Sequence, residues 1–309
     1  MDTATLLEKL SAITTEIPGE IDILELRRSS IDELERRLRR MLKIGGEVCD
    51  ANFERGSWST LDDRTLVRLP QGALAVLYHA SGAVKLTSGR GPMEALFTDI
   101  EAKSVHIERA ESLLASLGLR ETLLGRGETL TFERLWQTKA AGADPSGKTV
   151  DPVICRAIGA FRQHIEGIPV LGPASVAVQM AGGGALDGFS TLVRGPASEV
   201  LVRAKVLHPE RAVRLIGQQL KERFGSNKGD VKLESRDGMR LGYLNLPKRK
   251  AQRVLAPVYL ASIEVTHELE SQAFVIAVPA TERSYLALDV PGTESVVGQS
   301  SKLTARRCC

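Results

Sequence analysis

Ile158-Gly159-Ala160-Phe161-Arg162-Gln163-His164-Ile165-Glu166-Gly167-Ile168-Pro169-Val170-Leu171-Gly172 is the stretch on which the fold turns. Ile158 to Ile165 reads as a strand, and Ala174 to Met180 reads as the next one. The two are joined through Gly167-Ile168-Pro169-Val170, where Gly167 permits a turn and Pro169 fixes φ and withholds a ladder donor. Phe161, Ile165, Ile168 and Val170 are expected to pack inward.

Working toward the N-terminus, Thr129 to Trp136 alternates with Leu130, Phe132 and Leu135 inward, and a polar loop follows from Ala141 to Gly147. Ile107, Ala110, Leu113, Leu114 and Leu117 form one helical stripe, with Gly118 placed for a left-handed cap. Leu74 to Tyr78 and Ala83 to Leu86 read as a hairpin about Ser81-Gly82. Ser30 and Glu33 form a capping box, in which each side chain satisfies an orphaned backbone N–H. Ile31, Leu34, Leu38 and Met41 then recur at helical spacing, and Gly45-Gly46 is expected to stop that helix. Its basic face, Arg36, Arg37, Arg39 and Arg40, is read as solvated, because Glu33 and Glu35 precede it at salt-bridging distance.

Toward the C-terminus, Gly182-Gly183-Gly184 reads as a turn and Ala185 to Leu192 as a return strand. Beyond Pro196 a helix is expected, with Ala212, Leu215, Ile216, Leu220 and Phe224 on one side and Gly225 at its end. Strands follow at Val231 to Leu233, Met239 to Leu246, Leu255 to Val265, Phe274 to Val278 and Tyr285 to Leu288. Helices are too few for a doubly wound parallel sheet, so the fold class is α+β, with repeated antiparallel-sheet units each packed against a helix. The expected division is an N-terminal helical segment over residues 1–58, sheet units over 59–196 and 197–290, and a small, polar tail over 291–309.

The chain has 309 residues, of which 43% are hydrophobic and 26% charged, enough to fill a core and wet a surface. A net charge of +3 is too balanced to attract nucleic acid through bulk electrostatics. The clusters Lys248-Arg249-Lys250 and Arg306-Arg307 lack the interleaved aromatics of a base-stacking surface. No run reaches the roughly 20 apolar residues of a membrane span. The first residues lack a basic region followed by an apolar one, which places the protein in the cytoplasm as written, or outside it if a leader was removed. Cys49 and Cys155 stand alone in apolar surroundings and are read as buried thiols. Cys308-Cys309 is a pair that two vicinal thiols make a candidate for a soft metal ion; no other metal site and no cofactor is expected.

The segment from Gly159 to Gly172 resembles the central hairpin of the propeptide domain of fungalysin- and thermolysin-type proteases. In that family a Phe-Arg-Gln strand leads into an acidic residue, Gly, Ile, Pro and Val. Ser175 to Gly184 agrees in character. The helix from His208 to Phe224, the strand around Tyr243, Leu255 to Tyr259 and Phe274 to Pro279 resemble the companion PepSY domain, so the resemblance spans roughly residues 60 to 290. It implies a chaperone or inhibitor of a protease, and none is attached here. Edge pairing with an extended peptide is the expected mode, with Arg162, Gln163, Glu166, Gly167 and Pro169 shaping the surface.

Hydrolytic motifs fail on their own chemistry. His267-Glu268 begins a zinc motif, but Ser271 stands where the second imidazole must be; His79, His106, His164 and His208 are scattered. Gly188-Phe189-Ser190-Thr191-Leu192 lacks the last glycine of a nucleophile elbow. Gly142-Ala143-Asp144-Pro145-Ser146-Gly147-Lys148-Thr149 does fit a phosphate-binding loop, in which Gly142, Gly147, Lys148 and Thr149 would hold a nucleotide. Pro152 would then fall inside the helix that such a loop enters, at a cost of about 3 kcal/mol. The leading expectation is therefore a non-enzymatic protein- or peptide-binding protein. The alternative is a nucleotide-binding enzyme built on Gly142 to Thr149.

Overall fold

The computed structural model describes residues 8–10, 16–49, 53–69, 71–97, 101–143, 146–149, 151–194, 197–224, 231–267 and 270–288. In chain order the elements are β1 (Glu20–Leu26), α1 (Ile31–Cys49), β2 (Ser57–Thr60), β3 (Arg64–Arg68), β4 (Leu74–Tyr78), β5 (Val84–Thr87), α2 (Lys103–Ser116), α3 (Leu119–Leu123), β6 (Glu128–Ala140), β7 (Val153–Ile165), β8 (Ile168–Leu171), β9 (Val176–Met180) and β10 (Leu186–Thr191). They continue as β11 (Ala197–Lys205), α4 (Pro209–Phe224), β12 (Val231–Leu244), β13 (Val254–Leu255), β14 (Pro257–His267) and β15 (Glu270–Pro279). The architecture is mixed and rich in strands, and every strand pair whose register is described is antiparallel.

Two compact units share the chain: Leu26–Ala197 with Asn245–Arg253, and Met1–Glu25 with Ser198–Leu244 and Val254–Cys309. The expected segment of residues 1–58 is therefore corrected. Its first 25 residues belong to the second unit, and α1 belongs to the first, where Leu34, Leu38, Met41 and Leu42 lie in the hydrophobic core. The tail over 291–309 lies outside the described residues, as do Cys308 and Cys309.

In the first unit β7 is the central strand. β6 pairs with it from Val153 to Ile165, while β8 and then β9 take its other edge, at His164–Ile165 and at Ala157–Phe161. The sheet continues from β9 through β10, β5, β4 and β3 to β2. The turn between β7 and β8 has only two residues, Glu166 (φ 50°) and Gly167 (φ 82°), both left-handed, as the hairpin turn that matches strand twist requires. Helix α2 packs on the β7 face at Gly159, where an added Cβ would lie 2.4 Å from Ala110 Cβ. Bulky side chains there would hold the helix off the sheet.

The capping box forms as read: Ser30 N–H donates to Glu33 Oε2 at 3.0 Å, and Glu33 N–H donates to Ser30 Oγ at 3.2 Å. Gly45 and Gly46 do not stop α1, which runs on to Cys49. Both glycines are buried, and packing outweighs a helix cost of about 1 kcal/mol each. Gly118 takes the left-handed conformation after α2, with φ 56°.

The strands of the second unit neighbour one another in the orders β15-β14-β12 and β11-β1-β13. Ala212, Val213, Ile216 and Leu220 of α4 pack with Met239, Leu241, Tyr259, Ile263, Ile276 and Val278. The Tyr259 hydroxyl is buried and donates to Leu207 O at 2.7 Å. Residues 231–233 and 239–244 form one long strand with an irregular register between Ser235 and Met239, not two. Tyr285 to Leu288 is not a strand, and β1 and β11 were not foreseen.

Candidate functional site

The side chains expected to contact a peptide divide in two. Arg162 is 7% exposed and Gln163 fully buried. One guanidinium nitrogen of Arg162 donates to Glu133 Oε1 and Oε2, and the other donates to Val170 O at 2.7 Å and Gly172 O at 3.2 Å. Gln163 Nε2 donates to Glu128 Oε2 at 2.9 Å, and Gln163 N–H donates to Ser175 Oγ at 3.0 Å. These side chains tie β7 to β6, β8 and the loop before β9, and both edges of β7 are already paired. The expectation that they form a contact surface is overturned. Burial of a guanidinium demands this many acceptors, so its interactions are spent inside the fold. Glu166 and Gly167 are exposed but occupy the turn, and Pro169 is half-buried opposite His164.

Gly142 to Thr149 likewise has a different setting from a phosphate loop. It connects the antiparallel strands β6 and β7, with an isolated bridge between Ala143 and Thr149 and a left-handed Gly147 at φ 83°. Lys148 and Thr149 enter a strand-to-strand turn, and no helix starts there to aim successive N–H groups at a phosphate. Asp144 and Pro145 lie outside the described residues.

Other chemistry-bearing residues are committed to the fold. Cys155 is buried and its thiol faces Thr138 O at 3.3 Å. Lys248 Nζ lies 4.7 Å from the centre of the Tyr78 ring, and the Ser81 hydroxyl donates to Lys248 O, so that basic cluster caps the end of β4. His79 bonds to Thr65 Oγ1 at 2.9 Å and to Asp62 O at 3.2 Å. Among the described residues no group of histidine, cysteine, aspartate and glutamate is arranged to hold a metal ion.

What the sequence reading missed is an edge. A terminal strand exposes a row of unpaired backbone groups, and proteins blunt such edges by shortness, charge or cover. β2 is four residues long, and its Trp58 lies under Arg39, 4.0 Å from the ring centre. β6 carries the exposed charges Arg134 and Lys139. β15 begins with polar residues and exposes a single large apolar side chain, Val275. β11 carries charges only around its centre, where Val200, Leu201 and Val202 are 53%, 49% and 39% exposed in succession. Successive strand residues face opposite sides, so both faces of β11 are apolar and wet. Glu199, Arg203 and Lys205 flank the apolar centre, and Arg203 is anchored to Asp22 of β1 by two bonds of 2.7 and 3.1 Å. The only sequence signal was the run Val200-Leu201-Val202, which lacks the alternation that marks a half-buried strand.

No helix among the described residues is long and apolar enough to cross a membrane. No protein-family profile matches the chain, and no curated protein matches it. Among solved structures it is similar to an uncharacterised protein from Eubacterium rectale ATCC 33656, at 12% identity and a TM-score of 0.49, over 85% of this chain and 83% of that one.

Proposed function

We propose that the protein is a non-enzymatic binding protein that holds an extended polypeptide segment against the free edge of β11. The observation that carries this reading is the exposure of Val200, Leu201 and Val202 on a terminal strand with no partner strand on its outer side among the described residues. An added strand satisfies the open row of backbone donors and acceptors, and its side chains cover Leu201 on one face and Val200 and Val202 on the other. Glu199 and Lys205 at the two ends favour one register for a segment with charges of opposite sign.

The resemblance of Gly159 to Gly172 and of the α4, β14 and β15 segments to propeptide and PepSY domains supports a polypeptide as the occupant. So does the recurrence of antiparallel sheet packed on a helix in both units. The nucleotide reading has no comparable support, since its loop leads into a strand.

Panning a library of random 12-residue displayed peptides against the protein tests the proposal. Selected peptides should lose at least about tenfold in affinity against Leu201→Lys, which places a charge at an exposed position of the edge. Equal binding to that variant would overturn the reading. So would a stable dimer in sedimentation that Leu201→Lys dissociates, because the edge would then be filled by a second copy.

A further inference from the structure

The unit made of residues 26–197 and 245–253 has an open cavity of about 540 Å³ beside the first turn of α1. Five arginines contribute to its wall: Arg27, Arg28, Arg37, Arg194 and Arg253. The acidic groups in the wall are Asp62 and Asp63, so the lining carries three more positive than negative charges, five against two. Asp63 is also engaged by Arg64 at 3.1 Å, which leaves still less negative charge for the cavity.

Arg194 decides the character of the site. It is 3% exposed, and its bonds of 2.8 Å to Asn245 Oδ1, 2.8 Å to Leu246 O and 3.0 Å to Lys250 O all go to neutral acceptors. A longer contact to Ala80 O, at 3.5 Å, is neutral as well. Hydrogen bonds to carbonyls orient a guanidinium but do not cancel its charge, and a buried charge without a counter-ion is costly. Burial lowers the Arg194 pKa to about 10, which leaves it a cation at neutral pH. Arg37 repeats the pattern: it donates to Gly82 O at 3.0 Å, while its Nε is buried with no acceptor. Arg27 is the exception, paired to Glu33 at 2.7 Å.

The end of α1 is not what would hold an anion here. Its first-turn donors at Ser30 and Glu33 already serve the capping box. The cations must do so, and they share the wall with Leu26, Ile31, Leu34 and Ala80. A cavity of this size, with an apolar wall and a few converging charges, has the dimensions of a small-molecule site.

We propose that this cavity binds a small organic oxyanion, whose phosphate or carboxylate group supplies the counter-charge for Arg37 and Arg194 while its body lies on the apolar wall. Guanidinium forks suit both groups, since each offers two oxygens in one plane. The ligand site is independent of the β11 edge and of the peptide it is proposed to hold.

Isothermal titration with pyrophosphate, citrate and uncharged glucose, at constant ionic strength, tests this. Saturable single-site binding of pyrophosphate or citrate, with none of glucose, is the expected result. Pyrophosphate alone would assign a phosphate ester and citrate alone a carboxylate. Arg37→Gln should abolish that binding. The paired exposed changes Arg28→Gln and Arg253→Gln should weaken it about tenfold with an unchanged circular dichroism spectrum. That pair decides the matter if Arg37→Gln does not fold. No saturable binding at millimolar affinity, or binding that survives both sets of changes, would overturn the assignment.

Discussion

One guanidinium nitrogen of Arg162 lies 2.7 and 2.5 Å from the two carboxylate oxygens of Glu133, across the neighbouring strands β7 and β6. Burial by itself would raise the Glu133 pKa, but the hydrogen bond and charge of Arg162 outweigh it and hold the carboxylate below its ordinary value. The same arginine satisfies the carbonyls of Val170 and Gly172, so a single side chain fixes where β8 returns against β7. Removing it strands a half-buried carboxylate and two carbonyls.

Arg162→Met should accordingly destabilise the protein by about 3–5 kcal/mol, measured by urea denaturation. Adding Glu133→Leu should recover part of the loss, because the stranded charge is then gone. If Arg162→Met left stability unchanged and abolished peptide binding, its role would be in contact and not in the fold.

Gly159 admits helix α2 to the face of β7, with Ala110 Cβ in the space that its own Cβ would occupy. Gly159→Ala is expected to cost about 1–3 kcal/mol by overpacking. Gly159→Ala combined with Ala110→Gly should regain most of it, despite the helix penalty of about 1 kcal/mol for the new glycine. A neutral Gly159→Ala would mean that the helix shifts freely.

Acid should find Asp187. This residue is buried, which raises its pKa, yet bonds from Ser88, Arg156 and Gln179 and the Arg156 charge bring it below the ordinary Asp value. A carboxylate with a depressed folded pKa contributes stability that is complete above its unfolded pKa of about 3.9 and is lost as pH falls through the folded value. Urea midpoints should therefore fall below about pH 4, and Asp187→Asn should be less stable at neutral pH with a flatter acid limb. Parallel acid limbs in the two proteins would show that other carboxylates dominate.

Lys148 is exposed in the connection between β6 and β7. Lys148→Ala should change stability by less than about 0.5 kcal/mol. Equilibrium dialysis with ATP should detect no binding that depends on this side chain; an affinity present in the wild type and lost in the variant would restore the nucleotide reading.

Local chemistry was enough to place several elements. The Ser30 and Glu33 capping box, the Leu74 to Leu86 hairpin, the α2 stripe with its left-handed Gly118 and the turn at Gly167 are each decided within a few residues, by periodicity or by a backbone angle. The antiparallel character of the sheets is legible in the small number of helices between the strands. Only the tertiary structure decided what those elements meet. Arg162 and Gln163 read as surface contacts because they are polar, and they are buried because β6, β8 and the loop before β9 bring acceptors to them from distant parts of the chain. Gly45-Gly46 reads as a helix end on propensity, which packing on the sheet overrides. The apolar run in β11 looks like core until its strand proves to be terminal, and the charge around Arg194 becomes a site only when the start of α1, the turns before β3 and between β4 and β5, and residues 251–253 form a cavity beside it. Exposure and convergence are properties of which segments become neighbours, and sequence spacing alone does not contain them.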